Sequence, residues 1–204
     1  MTALSPQATH QLMPSFAALP QTQHADGKYR LRRYSVITLL DDHVKEVGPR
    51  DFVQSDEINH FQGNVVRHFE PIDHDVLQSA GMAEMCKLFA ETNALPEDAE
   101  IEIHQMRVVA IDQETQVAPE GIHQDGFDHI AMIAIHRQNI VGGEIMLYTD
   151  NHQPPFFKKA LADGEAVLLA DNKLWHNATP ISTVEPKEEG HLDIFVLTAR
   201  GDKA

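Results

Sequence analysis

The sequence predicts a mainly β protein with flanking helices (class α+β), its strands folded as an antiparallel sandwich or jelly roll. Three observations carry this. After position 100 the chain is a succession of short apolar runs separated by Gly and Pro turns. Alternation of polar and apolar residues, as at the start of "EIEIHQMRVVAI", gives the period of two that a half-buried strand requires. Helical periodicity is strong in one stretch, residues 73–96. The 204 residues fit one domain, 1–204, with 1–99 as an N-terminal arm, strands and a packing helix, and 100–200 as the β core.

The elements follow in order. Residues 1–27, rich in Gln, Pro, Ala and His, read as a lead-in arm with one short helix. "YRLRRYSVITLL" has the aromatic and β-branched content of a strand and ends at the acidic turn "DDH". Residues 48–74 read as loops with a short strand near 65–69. In "DHDVLQSAGMAEMCKLFAETNALP", Asp73 or Asp75 can cap a helix whose face holds Leu77, Met85, Leu88 and Phe89; Asn93 and Pro96 mark its end. Beyond 100, "HIAMIAIHR", "IVGGEIMLYT", "ADGEAVLLAD" and "HLDIFVLTAR" read as strands, with turns at Gly142-Gly143 and Asp163-Gly164.

Composition narrows the partners. The formal charge is −15, from 31 acidic and 16 basic side chains, which disfavours nucleic acid or an anionic membrane surface. A small anion would need a locally positive pocket. The single cysteine, Cys86, permits no internal disulfide and reads as a small buried apolar group. No apolar run is long enough to span a bilayer, and "MTALSPQATHQLMPSF" lacks a signal-peptide pattern. A cytoplasmic protein is the expectation.

The chemistry is concentrated in "GIHQDGFDHIAMIAIH", where His123, Asp125, Asp128 and His129 crowd the start of a core strand. Polar groups beside a core are costly unless they have partners. On a continuing strand His123 and Asp125 would point the same way and could grip one metal ion, while Gly126 lets the backbone turn aside. His176, after the buried run "AVLLAD", is the best third ligand. Two histidines and a carboxylate leave metal positions open, as in non-haem Fe(II) sites, although catalytic zinc uses the same ligand types.

"HQDG" at 123–126, "NIVGGEIMLY" at 139–148, "GEAVLLADNKLWHNATP" at 164–180 and "LDIFVLT" at 192–198 resemble the Fe(II)/2-oxoglutarate dioxygenases. More narrowly they resemble the bacterial group of free L-isoleucine dioxygenases and BsmA-like proteins; "GNVVRHF" and "HQMR" extend the similarity upstream. The resemblance implies a double-stranded β-helix (cupin-like jelly roll) and Fe(II) held by His123, Asp125 and His176. It implies 2-oxoglutarate and dioxygen as co-substrates, with succinate and carbon dioxide released as a small molecule, expected to be a free amino acid, is hydroxylated.

One position departs from that pattern. The basic residue expected just before the Asp of "LDIFVLT", to pair with the distal carboxylate of 2-oxoglutarate, is Leu192. Arg200 lies eight residues on, about 26 Å in an extended strand, and is a poor substitute. Arg107, Arg67, Arg137 and Lys173 remain, and Arg107 is preferred because "HQMRVV" is strand-like and could aim a guanidinium inward. The departure keeps alive a non-catalytic metal-binding β-helix protein, a sensor or interaction module. A cupin-like zinc hydrolase or isomerase is a third reading.

Other positions are read more plainly. Asp128 and His129 either support the ligands or are loop groups. His136 is a bonded or outward-facing histidine, Trp175 is packing, and Asn139 and Gly143 set a turn. His104 and Gln105 face opposite sides of a strand, so at most one lines a cavity. His60 and His68 have no assignment, and "EPKEEG" is a solvated loop.

Overall fold

The computed structural model describes residues 1–111 and 114–201. From the N-terminus come β1 (Thr2–Ala3), α1 (Pro6–Leu12) and a 3-10 helix (Met13–Ala18). The hairpin strands β2 (Arg30–Leu40) and β3 (His43–Val47) follow, joined by Asp41 and Asp42 at positive φ. The stretch read as one helix is two, α2 (His74–Leu77) and α3 (Ala80–Thr92). Ser79 causes the break: its extended backbone ends the first turn, and its hydroxyl caps α3 by accepting the Met82 N–H. Leu77, Met85 and Phe89 are buried, as their shared face predicts. Residues 48–73 form turns with a single bridge between Phe52 and Arg67 rather than a strand at 65–69.

The β region holds β4 (Ile101–Ala110), β5 (His129–Gln138), β6 (Ile140–Gly142), β7 (Glu144–Tyr148) and β8 (Phe157–Ala160). It continues with β9 (Glu165–Ala170), β10 (Trp175–Ala178), β11 (Ile181–Thr183) and β12 (Gly190–Ala199). All pairings are antiparallel, in a seven-stranded sheet ordered β1-β9-β5-β12-β4-β2-β3 facing the small sheets β10-β7-β8 and β11-β6. This is the jelly roll, mainly β with helices outside. The division expected at residue 99 falls inside one sheet, because β1, β2 and β3 from the N-terminal half pair into it.

Strand alternation gives the large sheet two buried faces. Ile101, Ile103, Ile133, Phe195 and Leu197 join one core with α1, the 3-10 helix and α3. Cys86 is buried in that core, and burial pushes its thiol up to about 12. Met106, Val108, Ile130, Met132, Leu192 and Ile194 point the other way and pack on Ile145, Leu147, Ala178 and Ile181 of the small sheets. A cavity opens in this second layer, between the sheets.

Candidate metal centre and its cavity

His123 and His176 come together because their backbones pair. Each donates its N–H to the other's carbonyl, at 3.0 and 2.9 Å, and the imidazole centroids lie 4.3 Å apart. His123 precedes β5 and sits on an isolated bridge, so the expectation of a strand running through 123–125 is not met. Gly126, at φ +84°, turns the chain as expected, and a Cβ there would strike Ile58. That turn brings the Asp125 carboxylate under both rings, with Oδ2 3.1 Å from Nε2 of His176 and Oδ1 3.7 Å from Nε2 of His123. One ligand atom from each of the three residues falls within 4.8 Å of the others.

The surroundings orient these three side chains. Nδ1 of His123 lies 2.8 Å from the Gly121 carbonyl, which can only accept, so the proton sits on Nδ1 and Nε2 is left free for a metal. Gln54 donates to Oδ1 of Asp125 at 3.0 Å. Burial would raise the Asp125 pKa, but the hydrogen bond and charge of His176, the charge of His123 and the Gln54 amide hold it far below the carboxylate range. His176 shows the converse: burial lowers its pKa, and the Asp125 bond and charge outweigh that and raise it. Asp171 is the residue that sequence reasoning passed over. Fully buried, it accepts the N–H groups of Asp125, Gly126 and Phe127 and lies 3.6 Å from Nδ1 of His176, an atom with no hydrogen-bond partner. Burial and the nearby Asp125 charge push Asp171 up. Its only signal in the sequence was a carboxylate at the end of "AVLLAD", five residues before His176. Two imidazole Nε2 atoms and a carboxylate, with Gly121 and Gln54 bonded to His123 and Asp125 and the Asp171 carboxylate at ion-pair distance from His176, fit a 2-His-1-carboxylate iron centre.

The cavity beside the centre has apolar walls from Phe127, Ile130, Met132, Ile145, Ile194 and Val196, and a cationic wall from Arg30, Arg32 and Arg67. Arg30 is balanced by Asp26 at 2.8 Å and Glu120 at 3.1 Å. His104 lines the cavity, while Gln105 points to the outer layer and donates to Ser15. Burial first, and then Arg32 and Arg67, push the His104 pKa well down, so the ring is neutral.

Of the basic residues singled out in the sequence, Arg67 lines the cavity, and Arg107, Arg137, Arg200 and Lys173 do not. Arg107 is not among the cavity-lining residues: it projects from the opposite face of β4 and forms a two-pronged ion pair with buried Asp193, at 2.6 and 2.8 Å. The expected inward guanidinium fails on strand parity, since its neighbour Met106 takes the inward position. Arg200 donates to the Gly126 carbonyl and covers the Phe127 ring, outside the cavity. Lys173 is exposed in the turn between β9 and β10. Arg137 lies opposite Leu192 in the β5–β12 register; its Nη2 donates to the Gly142 carbonyl at 2.6 Å, and its Nη1 is buried without a partner.

Several other positions have structural roles. Asp128 ties Asn172 and the Gly201 N–H, and His136 pairs with Asp163. Trp175 lies opposite Tyr148 in a strand pair and does not line the cavity. Asn139, at φ +50°, holds the 185–189 loop through both ends of its amide. His68 pairs with Asp51 on the surface.

No curated protein matches the sequence. Among solved structures, a bsmA homolog from Methylobium petroleophilum PM1 is similar, with 29% identity and a TM-score of 0.81 over 96% of this chain and 81% of that one. IDO from Bacillus thuringiensis has the same fold, with 19% identity and a TM-score of 0.78 over 97% of this chain and 87% of that one. So does the Fe(II)/α-ketoglutarate-dependent dioxygenase TqaL, with 14% identity and a TM-score of 0.62 over 97% and 76%. Residues 13–198 match the 2OG-Fe dioxygenase family. The chain thus belongs to the 2OG-Fe dioxygenase family and is BsmA-like, a non-haem enzyme that uses Fe(II), 2-oxoglutarate and dioxygen on a small molecule.

Proposed function

We propose that this protein hydroxylates a small carboxylated molecule, a free amino acid, with His123, Asp125 and His176 as the iron ligands. The observation that carries the reading is the convergence of two imidazole Nε2 atoms and one carboxylate beside a buried cavity. When bound, the iron supplies sites for the keto acid and dioxygen and the redox chemistry of the hydroxylation. The chain's own groups do the rest. The Gly121 carbonyl holds His123 in the ligand tautomer, the Asp171 charge favours a proton on the facing Nδ1 of His176, Gln54 aims the carboxylate, and the apolar walls exclude water from the reacting centre. The whole chain acts as one unit, since both halves contribute strands to the sheet that walls the cavity.

The keto acid's distal carboxylate needs a cation, and position 192 offers none. We assign that role to Arg137. It shares a face and a cross-strand position with Leu192, and it carries a buried, unpartnered Nη1. No helix among the described residues is long and apolar enough to cross a membrane. The acidic chain with one buried thiol suits a cytoplasmic setting.

The test is an anaerobic titration of the Fe(II)-loaded protein with 2-oxoglutarate, read as the visible charge-transfer band of chelated keto acid. A saturable band that His176→Ala abolishes is expected, followed by succinate release when L-amino acids are supplied in air. Iron binding without a band would sink the co-substrate reading and favour a non-catalytic metal protein.

A further inference from the structure

Arg32 and Arg67 stand on the cationic wall without an anion. Both are buried, at 6% and 2% exposure, and both line the cavity. Arg32 donates Nη2 to the Met106 sulfur, a weak acceptor, at 3.3 Å; its guanidinium also lies 5.0 Å from the centroid of the Phe69 ring. Arg67 donates Nη2 to Oε1 of Gln54 at 2.9 Å and covers the Phe52 ring, while its Nε has no partner. A buried guanidinium without a counter-ion is costly. No carboxylate is bonded to either arginine: Asp26 and Glu120 are already bonded to Arg30, and the third nearby carboxylate, Asp125, is turned to His123 and His176. Burial and the neighbouring Arg30 and Arg67 charges push even the Arg32 guanidinium down, to about 9.

Unpartnered atoms gather here as well. Of the seven buried side-chain polar atoms without a hydrogen bond among the described residues, three belong to cavity-lining residues outside the His123–Asp125–His176 group: Arg67 Nε, His104 Nδ1 and Thr198 Oγ1. Buried polar groups are almost always satisfied, so a cluster of orphans marks the place of a polar ligand. Gln54 bridges this wall to the metal centre, bonded to Arg67 on one side and Asp125 on the other.

We infer that Arg32 and Arg67 form a clamp for the carboxylate of the substrate itself, holding an apolar amino acid with its side chain against Ile130, Met132 and Ile145. The assignment rests on the proposed function. It differs from the co-substrate anchor in residue and in wall: the clamp rises from β2 and the 48–73 loops, whereas Arg137 rises from β5. A planar guanidinium pair matches a carboxylate by two-pronged hydrogen bonding, which a single ammonium could not reproduce.

Two affinities are measured without oxygen on the Fe(II)-loaded protein. One is the Kd of 2-oxoglutarate from its charge-transfer band. The other is the calorimetric Kd of L-leucine, L-isoleucine and L-methionine against their primary amides, with 2-oxoglutarate present. At least one of these amino acids should bind the parent protein, and its amide at least tenfold more weakly. Arg32→Met and Arg67→Met should each weaken that amino acid at least tenfold and leave the Kd of 2-oxoglutarate within threefold. Arg32→Lys and Arg67→Lys keep the charge but lose the fork; they should fall between, and they carry the test if a Met variant does not fold. A tenfold loss of 2-oxoglutarate affinity in the Arg32 or Arg67 variants would overturn the inference by giving the clamp to the co-substrate. Equal binding of acid and amide, or no binding of any of the three acids, would overturn it too. Failure of the proposed function is a separate result, the absence of any band in the parent protein.

Discussion

Asp171 takes the main-chain N–H of Asp125 on both of its carboxylate oxygens, at 2.9 and 3.1 Å. One buried carboxylate thus positions another, while its Oδ1 lies 3.6 Å from Nδ1 of His176. The loop that carries Asp125 and the strand that carries His176 share one carboxylate, through hydrogen bonds to the first and an ion-pair distance to the second.

Asp171→Ala should therefore damage iron binding without touching a ligand. Loss of a carboxylate that orients a metal-bound histidine costs about 10- to 100-fold in metal affinity. Competition of the Fe(II)-loaded protein with a chromophoric chelator would measure it, and unchanged affinity would show that the triad orients itself.

Arg107→Ala should act on stability rather than on co-substrate. Its removal strands the fully buried Asp193 carboxylate, a change that costs about 3 kcal/mol or more when one partner of a buried pair is lost. Urea unfolding should show the loss, and the Kd of 2-oxoglutarate should stay within threefold. A tenfold rise in that Kd with stability intact would restore Arg107 as an anchor.

The Arg137–Leu192 relationship makes a sharper prediction. Leu192 packs with Val108 and Ile181, and Arg137 Nη1 and Leu192 Cδ2 both crowd Gly143, within 3.4 Å of where its Cβ would stand. Leu192→Arg alone would bury a second guanidinium beside the first, so its melting temperature should drop by several degrees. Combining it with Arg137→Leu exchanges the charge across the strand pair, and should recover both the melting temperature and 2-oxoglutarate binding. Arg137→Leu alone should weaken 2-oxoglutarate at least tenfold. Unchanged affinity in that single variant would remove Arg137 from the site.

Acid should loosen the wall around Arg30. Burial opposes ionisation of Asp26 and Glu120, but the Arg30 charge and their hydrogen bonds prevail and hold both below their ordinary values of 3.8 and 4.5. Groups with depressed folded pKa values stabilise fully above the unfolded pKa and lose that contribution as pH falls through the folded one. The urea midpoint should fall as pH drops below about 4.5, and the fall should be shallower in Asp26→Asn. An equal slope in both proteins would mean that Asp26 does not report folding.

How much of this could be read from the chain depends on range. His123, Asp125 and Gly126 were legible because they stand within four positions with turn chemistry between them, His176 because it follows a buried run, and the strands from β4 onward because short apolar runs are bounded by turn residues. The helix at 73–96 was placed correctly but not its break, since Ser79 reads equally well as a helical residue and as a cap. The partners of the guanidiniums were not legible at all. Arg107 and Met106 are adjacent in sequence, and only the register of β4 against β12 decides which of them faces the cavity. Asp171, Gln54, Arg32 and Arg67 reach the site from separate strands and loops, with bonds that span 71 residues from Gln54 to Asp125 and 46 from Asp125 to Asp171. The sequence alone determined the β architecture and pointed to a grouping of two histidines and one carboxylate, because these rest on residue types and on the pattern of apolar runs and turns. The tertiary structure decided which charges are paired and which are left for ligands, because pairing depends on strand register and on chain segments that meet only when the sheets close.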